Sequence, residues 1–175
     1  VPIQLPIGLE AAFVGIVDLL KMKSYRFEGD KGEKIIEGEV PAEMLDEAKK
    51  WRAELIEKIV EQDDAMMAQY LEGKEPSLEE LKKTLRAATI TAKIFPVVTG
   101  SALKNKGVQL VLDAVIDYLP SPADVPPTRA TDVSTGAPLE RHPKDDEPFT
   151  ALAFKIAADP FVGSLPFFRV YSGTL

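Results

Sequence analysis

The chain has 175 residues, 45% of them hydrophobic and 28% charged, and it contains no cysteine. That is apolar material for one ordinary domain or parts of two, and it excludes disulfides, thiol catalysis and cysteine-based zinc sites. No apolar run reaches the roughly 20 residues a membrane helix needs. No signal peptide is visible and the first residue is Val1, so a fragment or a processed product from a reducing, cytoplasmic compartment is expected.

The net charge is −7, and residues 42–80, with 12 acidic and 5 basic side chains, carry all of it. Such a segment repels phosphates, so direct nucleic-acid binding is not expected there and a basic protein partner is.

Residues 1–5, 12–20, 22–27 and 35–40 are rich in β-branched and aromatic side chains and read as short strands, with a turn at 28–32. A small antiparallel sheet is the simplest arrangement. Pro41 opens a helical stretch in which Met44, Ala48, Trp51, Leu55 and Ile59 form an apolar stripe, supported by Leu45, Ile56 and Val60. Glu43, Glu47, Lys50, Glu54, Glu57 and Glu61 repeat at the same spacing on another face. Asp63 is placed to cap a second helix ending near Leu71 and Gly73. Ser77-Leu-Glu-Glu80 is a capping-box pattern for a third helix reaching about Thr91.

The period then changes. Ile94-Phe-Pro-Val-Val-Thr99 suits a short buried strand, residues 100–106 a loop, and 108–118 a helix with Val108, Val111, Leu112, Val115, Ile116 and Leu119 on one face. This is a strand–loop–helix unit of the α/β kind. Residues 119–148 hold seven of the 14 prolines and few large apolar side chains, which predicts a linker at a domain boundary. Residues 149–156 and 165–175 read as two strands around a loop at 159–164, the opening of a β-domain that continues past Leu175. There is no internal repeat.

Two stretches carry candidate function. In Gly100-Ser-Ala-Leu-Lys-Asn-Lys-Gly107, a strand ends in Ser-Ala before a helix. Small residues let a loop backbone approach a flat base closely, and a backbone N–H can donate to guanine O6, which adenine lacks. The dipeptide also suits a plain turn. The second stretch is the acidic helix face, where repulsion among carboxylates at helical spacing is costly unless salt screens it. It suits either a docking face or a solvated surface. The remaining candidates read as structural. His142 is the single histidine, lies in the Pro-rich stretch and has no convincing acid partner, Trp51 and Met66-Met67 belong to packing, and Asp145-Asp-Glu147 is solvated. No catalytic residue and no metal ligand is assigned.

The run Thr99-Gly-Ser-Ala-Leu-Lys-Asn-Lys-Gly-Val-Gln109 followed by Leu112-Asp-Ala-Val-Ile-Asp-Tyr-Leu-Pro-Ser-Pro122 closely resembles bacterial translation elongation factor G. So do Val1-Pro-Ile-Gln-Leu-Pro-Ile-Gly8 with Gly15-Ile-Val-Asp18, and Phe149-Thr-Ala-Leu-Ala-Phe-Lys-Ile156 with Phe167-Phe-Arg-Val-Tyr-Ser-Gly-Thr174. The blocks keep the family's order and spacing; residues 28–90 match in pattern more than in identity. The resemblance implies an α+β insert subdomain at about 8–92, made of a small antiparallel sheet plus helices. It implies the final strand and helix of a P-loop-type α/β GTPase domain at 93–120, a linker at 121–148, and the opening hairpin of a β-barrel at 149–175.

It further implies a GTP hydrolase that drives ribosomal translocation of transfer and messenger RNA. Ser101, Ala102, Leu103 and Lys104 would contact the guanine of GTP or GDP, with magnesium held by residues outside this segment. Many small GTPases carry Lys where Leu103 stands. Glu43, Glu47, Glu54 and Glu57 would meet the C-terminal domain of the ribosomal stalk protein. A related translational GTPase acting in ribosome recycling, and a non-enzymatic protein-docking adaptor, remain open alternatives. Pro166 departs from the family's polar residue and predicts an edge or a local distortion.

The sequence contains no G-x-x-x-x-G-K-[ST] loop, and Asn105-Lys-Gly-Val108 has Val where a base-reading Asp would stand. Phosphate and magnesium binding cannot be assembled from these residues. The isolated chain is therefore expected to show neither GTP hydrolysis nor GDP binding; a fluorescent-GDP titration reaching micromolar affinity would contradict this.

Overall fold

Short segments rich in β-branched and aromatic residues favour strands, and here they assemble a four-stranded antiparallel sheet in the order β1-β2-β3-β4. The computed structural model describes residues 1–29 and 32–175. The strands are β1 (Gln4–Ile7), β2 (Gly15–Asp18), β3 (Lys23–Glu28) and β4 (Lys34–Glu39). Of the turn expected at 28–32, Asp30 and Lys31 lie outside the described residues. Asp18 shapes the β2–β3 turn by accepting from the amides of Leu20 and Lys21, both at 2.9 Å. The edge strand β4 is largely exposed and is pinned by Lys23–Glu39 and Lys34–Glu28 ion pairs. Such surface pairs contribute little individually.

Four α-helices follow among the described residues: α1 (Leu45–Val60), α2 (Asp64–Leu71), α3 (Leu78–Ile90) and α4 (Val108–Tyr118). The caps are those the side chains dictate. Asp63 accepts from the Met66 amide at 3.0 Å, and Ser77 and Glu80 exchange hydrogen bonds in a complete capping box. The Ser77 hydroxyl and amide hold the Glu80 carboxyl below its ordinary pKa. The apolar stripe of α1 is buried at Ala48, Leu55, Ile56, Ile59 and Val60. It packs with Leu81, Leu85 and Ala88 of α3 and with Leu5, Ile7 and Val17 of the sheet. Arg52 ties α1 to the β2–β3 turn, donating to the Leu19 and Leu20 carbonyls at 2.7 and 2.5 Å and pairing with Glu75 at 2.7 Å. α3 holds α4 through Lys82–Asp117 at 2.5 Å and through Arg86, which donates to the Ile116 and Asp117 carbonyls. A cation on the last carbonyls of a helix also complements its dipole.

Two expectations for this unit are corrected. Residues 94–99 do not form a buried strand. They run extended beside the N-terminal residues with a single parallel bridge, Pro2 to Val97, while Ile94 is buried and Phe95 and Val97 face outward. Pro96 has no N–H to donate, and Val1–Ile3 is the one described segment that pairs with it. The apolar face of α4 is real as a pattern but is not covered: Leu112, Val115, Ile116 and Leu119 are exposed, and Tyr118 is the residue α4 buries. Burial pushes the Tyr118 phenol well above its usual pKa.

The chain divides into two compact units, Val1–Leu119 and Pro120–Leu175. In the second unit β5 (Thr128–Thr131) pairs with β6 (Pro138–Arg141), and β7 (Thr150–Asp159) pairs with β8 (Gly163–Ser172), both antiparallel. The stretch read as a linker at 121–148 therefore contains a hairpin. Its strands have four residues each, are mostly polar and are largely exposed, which leaves too little alternation to mark a strand. Asp132 builds its turn by accepting from the Ser134 hydroxyl and the Ser134 and Thr135 amides, which hold its carboxyl down to about 2. His142 does have an acid partner: Glu147 lies 2.9 Å from Nδ1 and also accepts from the His142 amide, closing the 142–147 loop. The pairing irregularities of β7–β8 fall at Thr150/Ala151 and Ala153/Lys155; Pro166 itself sits in register opposite Ile156. A two-stranded sheet has no interior strand, so the missing N–H of Pro166 is tolerated.

Packing in the first unit can be tested by contrast. Leu85→Ala, at a fully buried position, is expected to cost about 2–5 kcal/mol. Ile116→Ala, at a position 75% exposed, is expected to change stability by less than about 0.5 kcal/mol. Urea unfolding followed at the single tryptophan, Trp51, reads both. A large cost for Ile116→Ala would show that the outer face of α4 is covered.

Candidate functional site

The loop after the extended segment is shaped by its backbone. Ser101 and Lys106 pair through both amides, at 2.8 and 3.0 Å, and the Asn105 amide closes the turn on the Ala102 carbonyl at 3.1 Å. Asn105 takes φ +50° to do so. Gly107 follows at φ +85° and serves as the N-cap of α4, a left-handed conformation that glycine adopts without penalty. A side chain there would begin 3.0 Å from the Thr99 carbonyl oxygen. The tip is pushed outward: Ser101 is half-buried, Ala102 and Lys104 are exposed, and Leu103 is 96% exposed. The amides of Ala102, Leu103 and Lys104 make no hydrogen bond among the described residues.

All four loop residues named from the sequence are thus brought to one protruding turn. Ser101 belongs to its stem, and Ala102, Leu103 and Lys104 form its tip. Chemically, the turn offers backbone donors and an aliphatic edge, and it holds no titratable pair suited to proton transfer. Among the described residues no group of three or more histidine, aspartate or glutamate side chains could hold a metal ion.

The base of the loop rests on the first sheet. The Thr99 amide donates to the Gln4 side chain at 3.1 Å, and Lys106 Nζ donates to the Phe13 carbonyl at 3.2 Å. A small second core of Phe13, Ile16, Tyr25 and Phe27 lies under it, with Leu110 of α4 packed alongside. Composition and periodicity give no signal for this support, because it joins residues about 93 positions apart.

The acidic residues separate slightly. Glu47, Glu54 and Glu57 are exposed on α1, and Glu43 lies on the 3-10 turn Ala42–Met44 that precedes it. Glu47 and Glu57 are about 15 Å apart along the axis at 1.5 Å per residue. None of the four forms an ion pair among the described residues, whereas Lys58 pairs with Glu61 at 3.0 Å. Trp51, read as core, is only half-buried and lines a hollow of about 310 Å³ with Leu55, Glu54, Glu57, Lys58, Val1 and Pro2. The face therefore combines free carboxylates with an apolar recess, a combination that helical spacing alone does not reveal. A larger hollow of about 450 Å³ lies between α2 and α3, lined by Met66, Gln69, Glu80, Lys83, Ala87 and Lys93 among others, and contains no residue of either candidate site.

The loop depends on Gly107. Gly107→Ala is expected to lower stability by about 1–2 kcal/mol, the cost of a left-handed residue with a Cβ. It should also shift the amide resonances of residues 99–107. An unchanged urea midpoint would mean that the turn does not need this conformation.

No family model matches the chain. Among solved structures, it is similar to the crystal structure of a protein from Thermus thermophilus, with 32% sequence identity and a TM-score of 0.75. That likeness covers 98% of this chain and 23% of the Thermus chain, so the α+β fold described here is shared with one part of a much longer protein.

Proposed function

We propose that this chain is a segment of a translational GTPase of the elongation factor G type, a cytoplasmic protein that couples GTP hydrolysis to translocation on the ribosome. The observation that carries the reading is the protruding turn at residues 101–104. Its tip presents unengaged amides beside the small side chain of Ala102, on a loop that joins an extended segment to α4. A donor set of this kind suits a purine carbonyl such as guanine O6. The aliphatic stem of Lys104 would lie along the ring, and Ser101 anchors the turn from its stem.

The bound nucleotide with its magnesium ion supplies the phosphate chemistry in the longer protein. The residues of this chain bind and orient the base and take no part in bond cleavage.

The acidic face serves the second role, docking of the ribosomal stalk protein's C-terminal domain. Glu43, Glu47, Glu54 and Glu57 steer a basic partner, since exposed charges raise association rates more than affinity. The Trp51 recess supplies the apolar contact that carries the affinity. That recess also favours the second reading, a protein-docking module that acts without a nucleotide. A related GTPase working in ribosome recycling would use the same two features.

An NMR titration of the chain with the C-terminal domain of a bacterial stalk protein tests this. Shifts are expected at residues 42–61, weakened by salt and abolished when Glu43, Glu47, Glu54 and Glu57 are changed to Lys. No shifts at millimolar partner would leave the acidic face as solvated surface.

A further inference from the structure

The 100–107 loop is held from two sides by turns of the first sheet, and neither support belongs to the residues that would face a base. On one side, Lys106 Nζ reaches the Phe13 carbonyl in the β1–β2 connection at 3.2 Å. The main chain of Lys106 is paired with Ser101 across the stem, so this side chain ties down the stem that carries the 102–105 tip. On the other side, Gly32 in the β3–β4 connection sits against the loop. A Cβ on Gly32 would lie 2.8 Å from the Asn105 carbonyl oxygen and 3.1 Å from that of Lys104. Between the two supports, Phe13 and Phe27 belong to the small core that also packs Leu110, and a Cβ on Gly107 would begin 3.8 Å from Phe27 Cζ.

The β1–β2 and β3–β4 connections thus form a clamp on the loop. A charge-assisted hydrogen bond from an ammonium to a carbonyl is stronger than a neutral one, and here it spans about 93 residues of sequence. Resting on the base-loop reading above, we infer that Lys106 is a positioning residue for base recognition. It sets the height of the 101–104 turn through the Phe13 carbonyl, with Gly32 as the opposing stop. The insert sheet then decides how well the turn's amides meet a purine O6, and changes far from the base alter which base is accepted.

The test uses the full-length protein that carries this chain, with fluorescence-detected binding of GDP and of 2-aminopurine riboside diphosphate, which lacks O6. Lys106→Met keeps the aliphatic stem and removes the donor; Lys106→Arg restores a cation. Lys106→Met is expected to weaken GDP about tenfold, the scale of one lost charge-assisted hydrogen bond, and to leave the analogue unchanged. Lys106→Arg should recover most of the GDP affinity. Gly32→Ala, which pushes on the loop from the other side, should repeat the pattern without touching Lys106, so misfolding of one variant does not decide the matter. Equal weakening of both nucleotides would make Lys106 a general prop and overturn the inference, as would no change in either. A wild-type protein with no preference for GDP over the analogue would remove the base-loop reading itself, and the inference with it.

Discussion

Everything in the first unit is arranged around β2, a strand of four residues that is buried on both faces. Ile16 and Val17 are adjacent in sequence, point to opposite sides of the sheet and are both fully buried. Val17 joins the helical core built by α1 and α3, and Ile16 joins the aromatic core of Phe13, Tyr25 and Phe27. Each such side chain contributes about 1.5–3 kcal/mol relative to exposure. More important, a strand committed on both faces cannot slip by one residue without exchanging the two cores. The register of β1 and β3 against β2 is thereby fixed, and so are the connections at each end of the sheet.

That constraint places the two candidate sites on opposite sides of one rigid layer. The Val17 side carries α1 and its acidic outer face; the Ile16 side carries the aromatic core beneath the 100–107 loop. Gly15 shows how closely the layer is packed, since a Cβ there would lie 2.3 Å from the Tyr25 carbonyl oxygen. β2 contributes a fully buried side chain to the core on each face. Transmission of a signal between the faces would still require an element with two discrete arrangements.

The helices were legible because their side chains act locally. Asp63, Ser77 and Glu80 satisfy amides within three residues, and the stripe of α1 repeats at a period set by the helix itself. The sheet was legible for the same reason, since short runs rich in β-branched and aromatic residues favour strands locally. The errors have a common cause. The face of α4 and the run 94–99 record a demand for burial, but a pattern cannot say whether the covering partner lies among the same residues. The β5–β6 hairpin escapes a reading by period because two mostly polar strands of four residues carry almost none, and its turn is built on the side chain of Asp132. At the candidate site the four residues of the turn could be named from the motif. Their supports could not, because Lys106 to Phe13 and Gly32 to Asn105 are meetings of distant segments.

The charge distribution gives the acidic face its character. The unit holds its excess of carboxylates where they repel one another, and Glu43, Glu47, Glu54 and Glu57 gain no ion pair among the described residues that would offset the repulsion. A protein selected for stability alone would disperse such charges or pair them, as Lys58 does with Glu61. At physiological ionic strength the screening length is about 8 Å, so neighbours along α1 still interact while more distant charges are largely screened. An apolar recess containing Trp51 lies within the same face. Exposed carboxylates favour fast encounter and the recess favours residence, and neither property improves the fold that carries them. On the docking role proposed above, the same two features would serve encounter and residence, and folding alone gives no reason for either.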